Sequence, residues 1–293
     1  QEIDQKGGID PVRQGSFAEI LGIESIDVLV HPWVDAQMVA AILSEWTGVP
    51  SEHFATTEAD RILGLEGALN LRIHGQGGAL RQIVDSLQVA RAGLNNEARP
   101  LGVFALAGPT GSGKTETAVA LADLLFGGAE YLVQFNMNEF QEAHSVSTLR
   151  GAPPGYVGYG KGGRLTEAVR RRPYSVVLLD EFDQAHRDVH DVFYQVFDRG
   201  WMEDGEGRRV SFRNCLILLT TNLGGLEIEQ ACESDAAVSQ QQLDGVAHQA
   251  PSKRFAPALM ARMQGVLYLL GLHQMSLSNL QELAARRWKA GLS

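Results

Sequence analysis

Apolar residues follow two different spacings along this chain. Apolar positions three and four residues apart predict helices over 55–73 and 77–92, separated at Gly75, and further helices over 35–45, 116–126, 164–172 and 277–288. Short continuous apolar runs predict strands over 101–107, 131–136, 175–180 and 215–221. The segment 227–250 is polar and predicts a surface helix and loop.

The order of these elements predicts the fold class. Continuous apolar strands that alternate with helices are typical of α/β proteins, in which helices cover both faces of a parallel sheet. Ligands of such folds bind at the carboxyl ends of the strands. We therefore expect the functional residues to follow the predicted strands directly.

Composition excludes several classes of function. The chain has 293 residues, 44% of them hydrophobic, and a net charge of −10, which disfavours nucleic acid as the main partner. No apolar stretch approaches the length that spans a membrane. The two cysteines, Cys215 and Cys232, show no spacing typical of a disulfide framework or a zinc site. Low cysteine content is typical of a reducing compartment, and we expect a cytoplasmic protein.

A glycine-rich segment joins the first predicted strand to the helix that follows. Residues 108–115 match the G-x-x-x-x-G-K-[ST] pattern of a phosphate-binding loop in the strand-to-helix context that this loop requires. The predicted nucleotide-binding residues here are Gly108, Pro109, Thr110, Gly111, Ser112, Gly113, Lys114, Thr115 and Glu116. Backbone amides and the helix N-terminus hold phosphates, Lys114 reaches the outer phosphates, and the Thr115 hydroxyl ligates Mg²⁺. An ordinary glycine-rich turn is the alternative.

Two acids end the third predicted strand. Asp180 is expected to hold Mg²⁺ and Glu181 to polarise an attacking water. A strand that ends in Asp-Glu is common, so this pair indicates a nucleotide site only in combination with the phosphate loop. Asn222 follows the next strand, either as a contact to phosphate or water or as a plain turn residue.

Two further features admit a functional and a structural interpretation from the residues alone. Segment 151–160 carries Tyr156 and Val157 among glycines and prolines, which exclude a helix or a central strand. It either grips an extended chain or packs on a neighbouring surface. Arg262 lies on a short helical face, where a solvated charge is the usual interpretation.

Taken together, these motifs resemble the second ATPase module of the Clp-type AAA+ unfoldases. The resemblance rests on the phosphate loop, residues 151–159, residues 171–181, Ala185-His186 and Thr220-Thr221-Asn222, and it covers 31–270. Stretches 29–37, 138–148 and 196–208 look more like the ClpV type, which serves type VI secretion, than like the ClpB disaggregases.

The resemblance implies an ATP-hydrolysing, hexameric motor that uses Mg²⁺ and pulls subunits of the type VI secretion sheath through a central pore. By position, Tyr156 and Val157 correspond to the pore loop that grips the threaded chain, and Asn222 to a sensor of the nucleotide. Arg262 corresponds to an arginine finger that reaches the nucleotide of the neighbouring subunit. Ile73 and His74 correspond to the lining of the adenine pocket.

The same resemblance divides the chain into a linker (1–54), a large α/β ATPase domain (55–265) and the start of a small helical lid (266–293). Residues 183–186 and Gly77 depart from the family pattern, which affects the expected tuning of hydrolysis. Because the lid has barely begun at Ser293 and the second sensor arginine is missing, we expect a fragment of a larger motor or a truncated product. A general disaggregase and a nucleotide-binding fragment without activity of its own remain as alternatives.

Overall fold

The computed structural model describes residues 38–39, 42–43, 58–94, 96, 98–156, 160, 162–225, 251, 254–269 and 271. The chain divides into two units, residues 1–57 and 58–293. The fold below is that of the second unit. The predicted helix over 277–288, the polar segment 227–250, most of the predicted helix over 35–45 and Val157 lie outside the described residues. The predicted division into linker, ATPase domain and lid stays a prediction.

Helices and strands alternate through the second unit. The helices are α1 (Glu58–Arg72), α2 (Gly77–Arg91), α3 (Lys114–Phe126), α4 (Ser145–Arg150), α5 (Arg164–Arg171), α6 (Arg187–Arg199) and α7 (Pro257–Met260). The strands are β1 (Gly102–Ala107), β2 (Leu132–Asn136), β3 (Ser175–Asp180), β4 (Trp201–Glu203), β5 (Arg209–Ser211), β6 (Cys215–Thr221) and β7 (Gly265–Tyr268). Short 3₁₀ turns follow α3, β2 and β3.

Five strands form one parallel sheet in the order β2-β3-β6-β1-β7. The predicted α/β class and its parallel sheet are confirmed, and the four predicted strands agree with β1, β2, β3 and β6 to within one residue at each end. Strand β7 was missed, because four residues are too few to show a periodic pattern. It extends the sheet to Tyr268.

Both faces of the sheet are buried, which explains the continuous apolar runs. Along β1, Val103 and Ala105 pack into one hydrophobic cluster, whereas Phe104 and Leu106 pack into another. The first cluster includes residues of α5 and α6, and the second includes residues of α1, α2 and α3. Helices therefore cover both faces and fix the positions of the strand ends that carry the site.

An antiparallel hairpin of β4 and β5 lies outside this sheet. The Arg209 guanidinium stacks over the Trp201 ring at 4.1 Å from its centroid. Five residues, 204–208, connect the two short strands. Within the described part of the chain, no helix is both long and apolar enough to cross a bilayer.

Candidate nucleotide-binding site

A cleft of about 330 Å³ opens at the carboxyl ends of β1, β3 and β6. Its size falls within the range of small-molecule sites. The lining residues are Thr110, Gly111, Gly113, Lys114, Thr115, Glu116, Asp180, Glu181, Thr220 and Asn222. All of them except Thr220 were predicted site residues. The structure thus brings together residues that lie more than 100 positions apart in the chain.

The phosphate loop runs from the end of β1 to the start of α3. Gly113 precedes α3 with φ 92°, a left-handed conformation that glycine adopts without steric cost. Position 108 has room only for glycine, because a Cβ there would lie 2.4 Å from the Leu269 carbonyl oxygen. Helix α3 begins at Lys114, two residues before the predicted start, so its free N-terminal amides lie at the cleft.

Lys114 is anchored inside the cleft by three oxygen acceptors. Its Nζ donates to the carbonyl oxygens of Gly108 (2.6 Å) and Pro109 (2.9 Å) and to Asn222 Oδ1 (2.9 Å). Burial lowers the pKa of Lys114, and the nearby carboxylates of Asp180 and Glu181 oppose that shift. A cation held this way is available to phosphate oxygens, which are stronger acceptors than neutral carbonyls.

Asp180 and Glu181 share the hydroxyl of Thr220. This hydroxyl donates to Asp180 Oδ1 and accepts from the Glu181 backbone N–H at 2.9 Å. Glu181 has φ 55° and ψ 47°, and it is the one non-glycine residue with positive φ among the described residues. A carboxylate held in a costly backbone conformation at a cleft is typical of a functional position.

Sequence reasoning missed two polar side chains on β2 and just beyond it. Asn138 Nδ2 donates to Glu181 Oε2, and Gln134 Nε2 donates to Asp180 Oδ2 at 3.3 Å. Strand β2 pairs with β3 so that Asn136 lies opposite Asp180. The sequence does show polar residues at the end of β2, which could have indicated these contacts. However, the sheet order is needed to know that β2 lies next to β3.

The stretch predicted to line the adenine pocket lies beside the phosphate loop. Ile73 is buried in the core and His74 is half-buried, and neither belongs to the residues that line the cleft. Contact with adenine stays a prediction. The buried Gln76, which was missed, donates through Nε2 to the Ser112 carbonyl oxygen at 3.2 Å. This bond ties the stretch to the phosphate loop.

Glu116 lines the cleft and also pairs with a residue at the end of α1. Arg72 donates to Glu116 at 2.9 Å and to Asp123 at 2.8 Å, so it joins α1 to α3. Of the other predicted loop residues, Ser112 is buried, and Gly108 and Pro109 serve Lys114 through their carbonyl oxygens.

Magnesium is the metal that this donor set fits. Thr115 and Asp180 both line the cleft, and hydroxyl and carboxylate oxygens are ligands that Mg²⁺ prefers. The described residues contain no group of three His, Cys, Asp or Glu side chains able to hold a metal ion. Mg²⁺ usually enters such sites with phosphate oxygens and waters as its remaining ligands.

Arg262 lies outside the cleft, just after α7. Its Nη1 donates to the Ala258 carbonyl oxygen at 2.7 Å, its Nε lies 3.8 Å from Asp198 Oδ1, and its guanidinium lies 5.4 Å from the Tyr194 ring centroid. Asp198 also pairs with Arg99 at 2.9 Å. Two residues of α6 therefore contact Arg262, which is not among the residues that line the cleft of its own chain.

Tyr156 lies in the loop between α4 and α5, and 71% of its surface is exposed. The loop begins at Gly151 and ends at Gly163, and its two ends are joined by a bridge between Gly151 and Gly162. We call residues 151–163 the tyrosine loop. Most of the surface of Tyr156 is therefore left uncovered.

Comparisons with known proteins agree on one family. Residues 99–266 match the family model described as AAA domain (Cdc48 subfamily). Over 252 residues the chain is 50% identical to the AAA+ ATPase ClpV1 of Pseudomonas aeruginosa strain PAO1, covering 86% of this chain and 28% of that protein. It is 45% identical to the chaperone protein ClpB of Yersinia enterocolitica, with the same shares covered.

Solved structures give the same result. The S. cerevisiae Hsp104–ADP complex is similar with a TM-score of 0.77 and 30% identity, covering 88% of this chain and 43% of the other. A closed-state reconstruction of Hsp104 with ATPγS and FITC-casein is similar with a TM-score of 0.73, at the same identity and coverage. The chain spans 28% of the length of the two curated relatives named above.

Proposed function

The chain belongs to the AAA domain family (Cdc48 subfamily) as a Clp-type AAA+ ATPase module, and we propose that it hydrolyses ATP to pull protein chains through a ring pore. The observation that carries this proposal is the cleft itself. Lys114, Asp180 and Glu181 meet there with Asn222 at the carboxyl ends of three parallel strands. This set supplies a phosphate-binding cation, a metal-binding carboxylate and a base for water.

The proposed chemistry is the attack of water on the γ-phosphate of ATP, which breaks the bond to the β–γ bridging oxygen and releases ADP and inorganic phosphate. Glu181 accepts a proton from the water, and Asn222 and Lys114, which already contact each other at 2.9 Å, orient and neutralise the outer phosphate. Thr115 and Asp180 would hold Mg²⁺, which would supply charge compensation for the phosphate oxygens. Asn138 and Thr220 hold the side chain and the backbone of Glu181, respectively.

Arg262 is proposed to complete the site of a neighbouring copy in a hexameric ring. It does not line the cleft of its own chain, and Asp198 and Tyr194 hold its guanidinium. A cation that reaches the γ-phosphate from a second subunit stabilises charge in the transition state. Hydrolysis would then require assembly of the ring, and the activity of each site would depend on the neighbouring subunit.

The exposed Tyr156 is proposed to grip the threaded chain, together with Val157. The Hsp104 structure with FITC-casein is a precedent for a protein substrate in a relative. Because identity to ClpV1 is 50% and to ClpB 45%, we propose sheath subunits of a type VI secretion system as the substrate, handled in the cytoplasm. A general disaggregase is the second candidate, and the 45% identity to ClpB favours it.

Two substitutions in the full-length protein test this function. Glu181→Gln keeps the size of the side chain but removes the base, so ATP turnover should fall by roughly a hundredfold while ATP binding persists. Tyr156→Ala should keep basal turnover and abolish disassembly of contracted sheaths. Wild-type turnover in Glu181→Gln would contradict the ATPase mechanism, and retained disassembly in Tyr156→Ala would contradict the role of the loop.

Choice of substrate separates the two candidate functions. Contracted sheath and heat-aggregated protein are each added to the wild-type protein, and the stimulation of ATP turnover is measured. Stimulation by sheath alone supports the secretion motor, whereas stimulation by aggregates alone supports the disaggregase. Tyr174→Ala is the matched control for Tyr156→Ala with either substrate. Tyr174 is also exposed, but it precedes β3 and lies outside the tyrosine loop.

A further inference from the structure

A buried carboxylate in the β4–β5 turn has no part in the nucleotide site. Only 3% of the Asp204 side chain is exposed. Its Oδ1 accepts the backbone N–H groups of Glu206 and Arg208, each at 2.9 Å. Its Oδ2 accepts from Arg170 Nη2 at 2.6 Å and from Arg208 Nε at 3.0 Å. One carboxylate thus organises its own turn and binds helix α5.

These donors favour the charged form of Asp204. Burial alone would raise the pKa of this carboxyl, but the hydrogen bonds from Arg208, Arg170 and Glu206 together lower the pKa to about 2. The carboxylate is therefore ionised at every physiological pH. A buried charge paired in this way becomes costly as soon as one partner is removed.

The turn that Asp204 organises presses against the start of the tyrosine loop. The Gly205 backbone N–H donates to the Arg150 carbonyl oxygen at 2.9 Å. A Cβ on Gly205 would lie 2.5 Å from the Ala152 carbonyl oxygen, and a Cβ on Gly151 would lie 3.0 Å from Gly205 N. The backbone of the turn therefore packs directly on the backbone of the loop, with no side chain between them.

The end of the tyrosine loop is attached to the same place. A Cβ on Gly163 would lie 2.2 Å from the Arg150 carbonyl carbon, so the two ends of the loop are in contact. Helix α5 starts directly after Gly163, and the Thr166 hydroxyl donates back to the Gly163 carbonyl oxygen at 3.1 Å. From the last turn of this helix Arg170 reaches Asp204. The loop is thus held from its start through Gly205 and from its end through α5.

We propose that the Arg170–Asp204 pair clamps the base of the tyrosine loop to the β4–β5 turn, so that loop and turn move as one rigid body. Both are positioning residues, since neither lines the cleft. The reason is mechanical: a loop rich in glycine and proline transmits force only if its base cannot rotate. The consequence for threading rests on the proposed function, whereas the rigidity itself does not.

The experiment measures rigidity and threading separately in the full-length protein. Spin labels are placed at Pro154→Cys in the loop and Glu206→Cys in the turn, after Cys215→Ala and Cys232→Ser. Pulsed electron spin resonance then gives the distribution of distances between the labels. The test variants are Asp204→Asn and Arg170→Gln, which remove the charges with little change in size. Arg171→Gln, an exposed neighbour on the same helix, is the matched control.

We expect Asp204→Asn and Arg170→Gln to broaden the distance distribution and to lower several-fold the amount of polypeptide threaded per ATP hydrolysed. Basal ATP turnover and its KM should stay at the wild-type value. Arg170→Lys should restore a narrow distribution in part, and Arg171→Gln should behave as wild type. A merely structural role of the pair would lower the amount of folded protein and basal turnover together, without this split.

Different outcomes overturn different statements. A narrow, wild-type distribution in a folded Arg170→Gln protein would overturn the clamp, whatever happens to threading. A broadened distribution with wild-type threading per ATP would overturn the link from clamp to force. Threading that survives Tyr156→Ala would instead contradict the proposed function of the loop, and the distance measurement would still decide the clamp.

Discussion

At the scale of single residues, His190 connects the turn that follows Glu181 to the core. It is buried on α6, its Nε2 lies 2.8 Å from the Phe182 carbonyl oxygen, and its ring stacks on Phe182 at 4.5 Å between centroids. Phe182 directly follows Glu181. Burial lowers the pKa of His190, while the bond to Phe182 opposes that shift; Arg254 lowers the pKa further and the carboxylates of Asp183 and Asp191 raise it. The folded protein thus favours the neutral ring.

Stability should therefore depend on pH through this side chain. In the unfolded chain a histidine binds a proton below about pH 6.5, whereas the buried ring binds its proton only at a lower pH. The unfolding free energy should then fall as the pH drops through this value, and the loss should stop once folded His190 itself titrates. Urea unfolding between about pH 7.5 and 5.5 measures the effect.

The matched variants are His190→Gln and His144→Gln. Glutamine at 190 cannot titrate, so the unfolding free energy of this variant should fall less on acidification than that of the wild type. His144 is exposed, and its replacement should leave the wild-type dependence in place. Equal pH dependence in wild type and His190→Gln would contradict the assignment.

At the scale of elements, the residue just before the missed strand β7 adds two hydrogen bonds to the backbone pairing of that strand with β1. The Val103 N–H donates to Gln264 Oε1 at 2.7 Å, and the Gln264 N–H donates to the Val103 carbonyl oxygen at 2.8 Å. Strand β1 carries the phosphate loop at its other end. This pair of hydrogen bonds therefore joins the start of β1 to the β7 edge of the sheet.

Removing the Gln264 acceptor should destabilise this edge. Gln264→Ala leaves the N–H of the buried Val103 without its partner, which should cost about 1–3 kcal/mol of unfolding free energy. Gln264→Glu keeps an acceptor at the same place and should cost less. Denaturant unfolding of both variants measures the difference, and equal stability of the two would show that the bond contributes nothing.

At the scale of the whole molecule, the position of Arg262 predicts complementation between defective subunits. Lys114→Ala subunits keep a working Arg262, and Arg262→Ala subunits keep a working phosphate loop. If Arg262 acts on a neighbour, a random equal mixture in a ring restores about a quarter of the sites, because each member of a site is intact half the time. Each variant alone should be nearly inactive.

The measurement is ATP turnover of the mixed subunits against each variant by itself. Recovery in the mixture supports a shared site. Activity that remains at background would mean that Arg262 serves its own chain or no site at all. A mixture of Lys114→Ala with Glu181→Gln is the matched control, since both defects fall in the same half of the site and cannot complement.

Local patterns in the sequence predicted the parallel sheet, the motif of the phosphate loop and the position of Asp180 and Glu181 at the end of a strand. These features depend on local spacing, because burial on both faces requires continuous apolar strands and phosphate binding requires glycines beside a helix N-terminus. Such constraints act between residues close in the chain, so a single sequence displays them. The family resemblance added Arg262 and Tyr156, which spacing alone left open.

The side chains that support those residues could be identified only from the folded structure. Asn138 and Thr220 reach the two acids only because β2 and β6 flank β3 in the sheet. The four residues of β7 become a strand by pairing with β1, and the Asp204 carboxylate is buried where Arg170 from α5 pairs with it. Contacts between distant segments leave no periodic trace in the chain, because each needs only one suitable residue at either end.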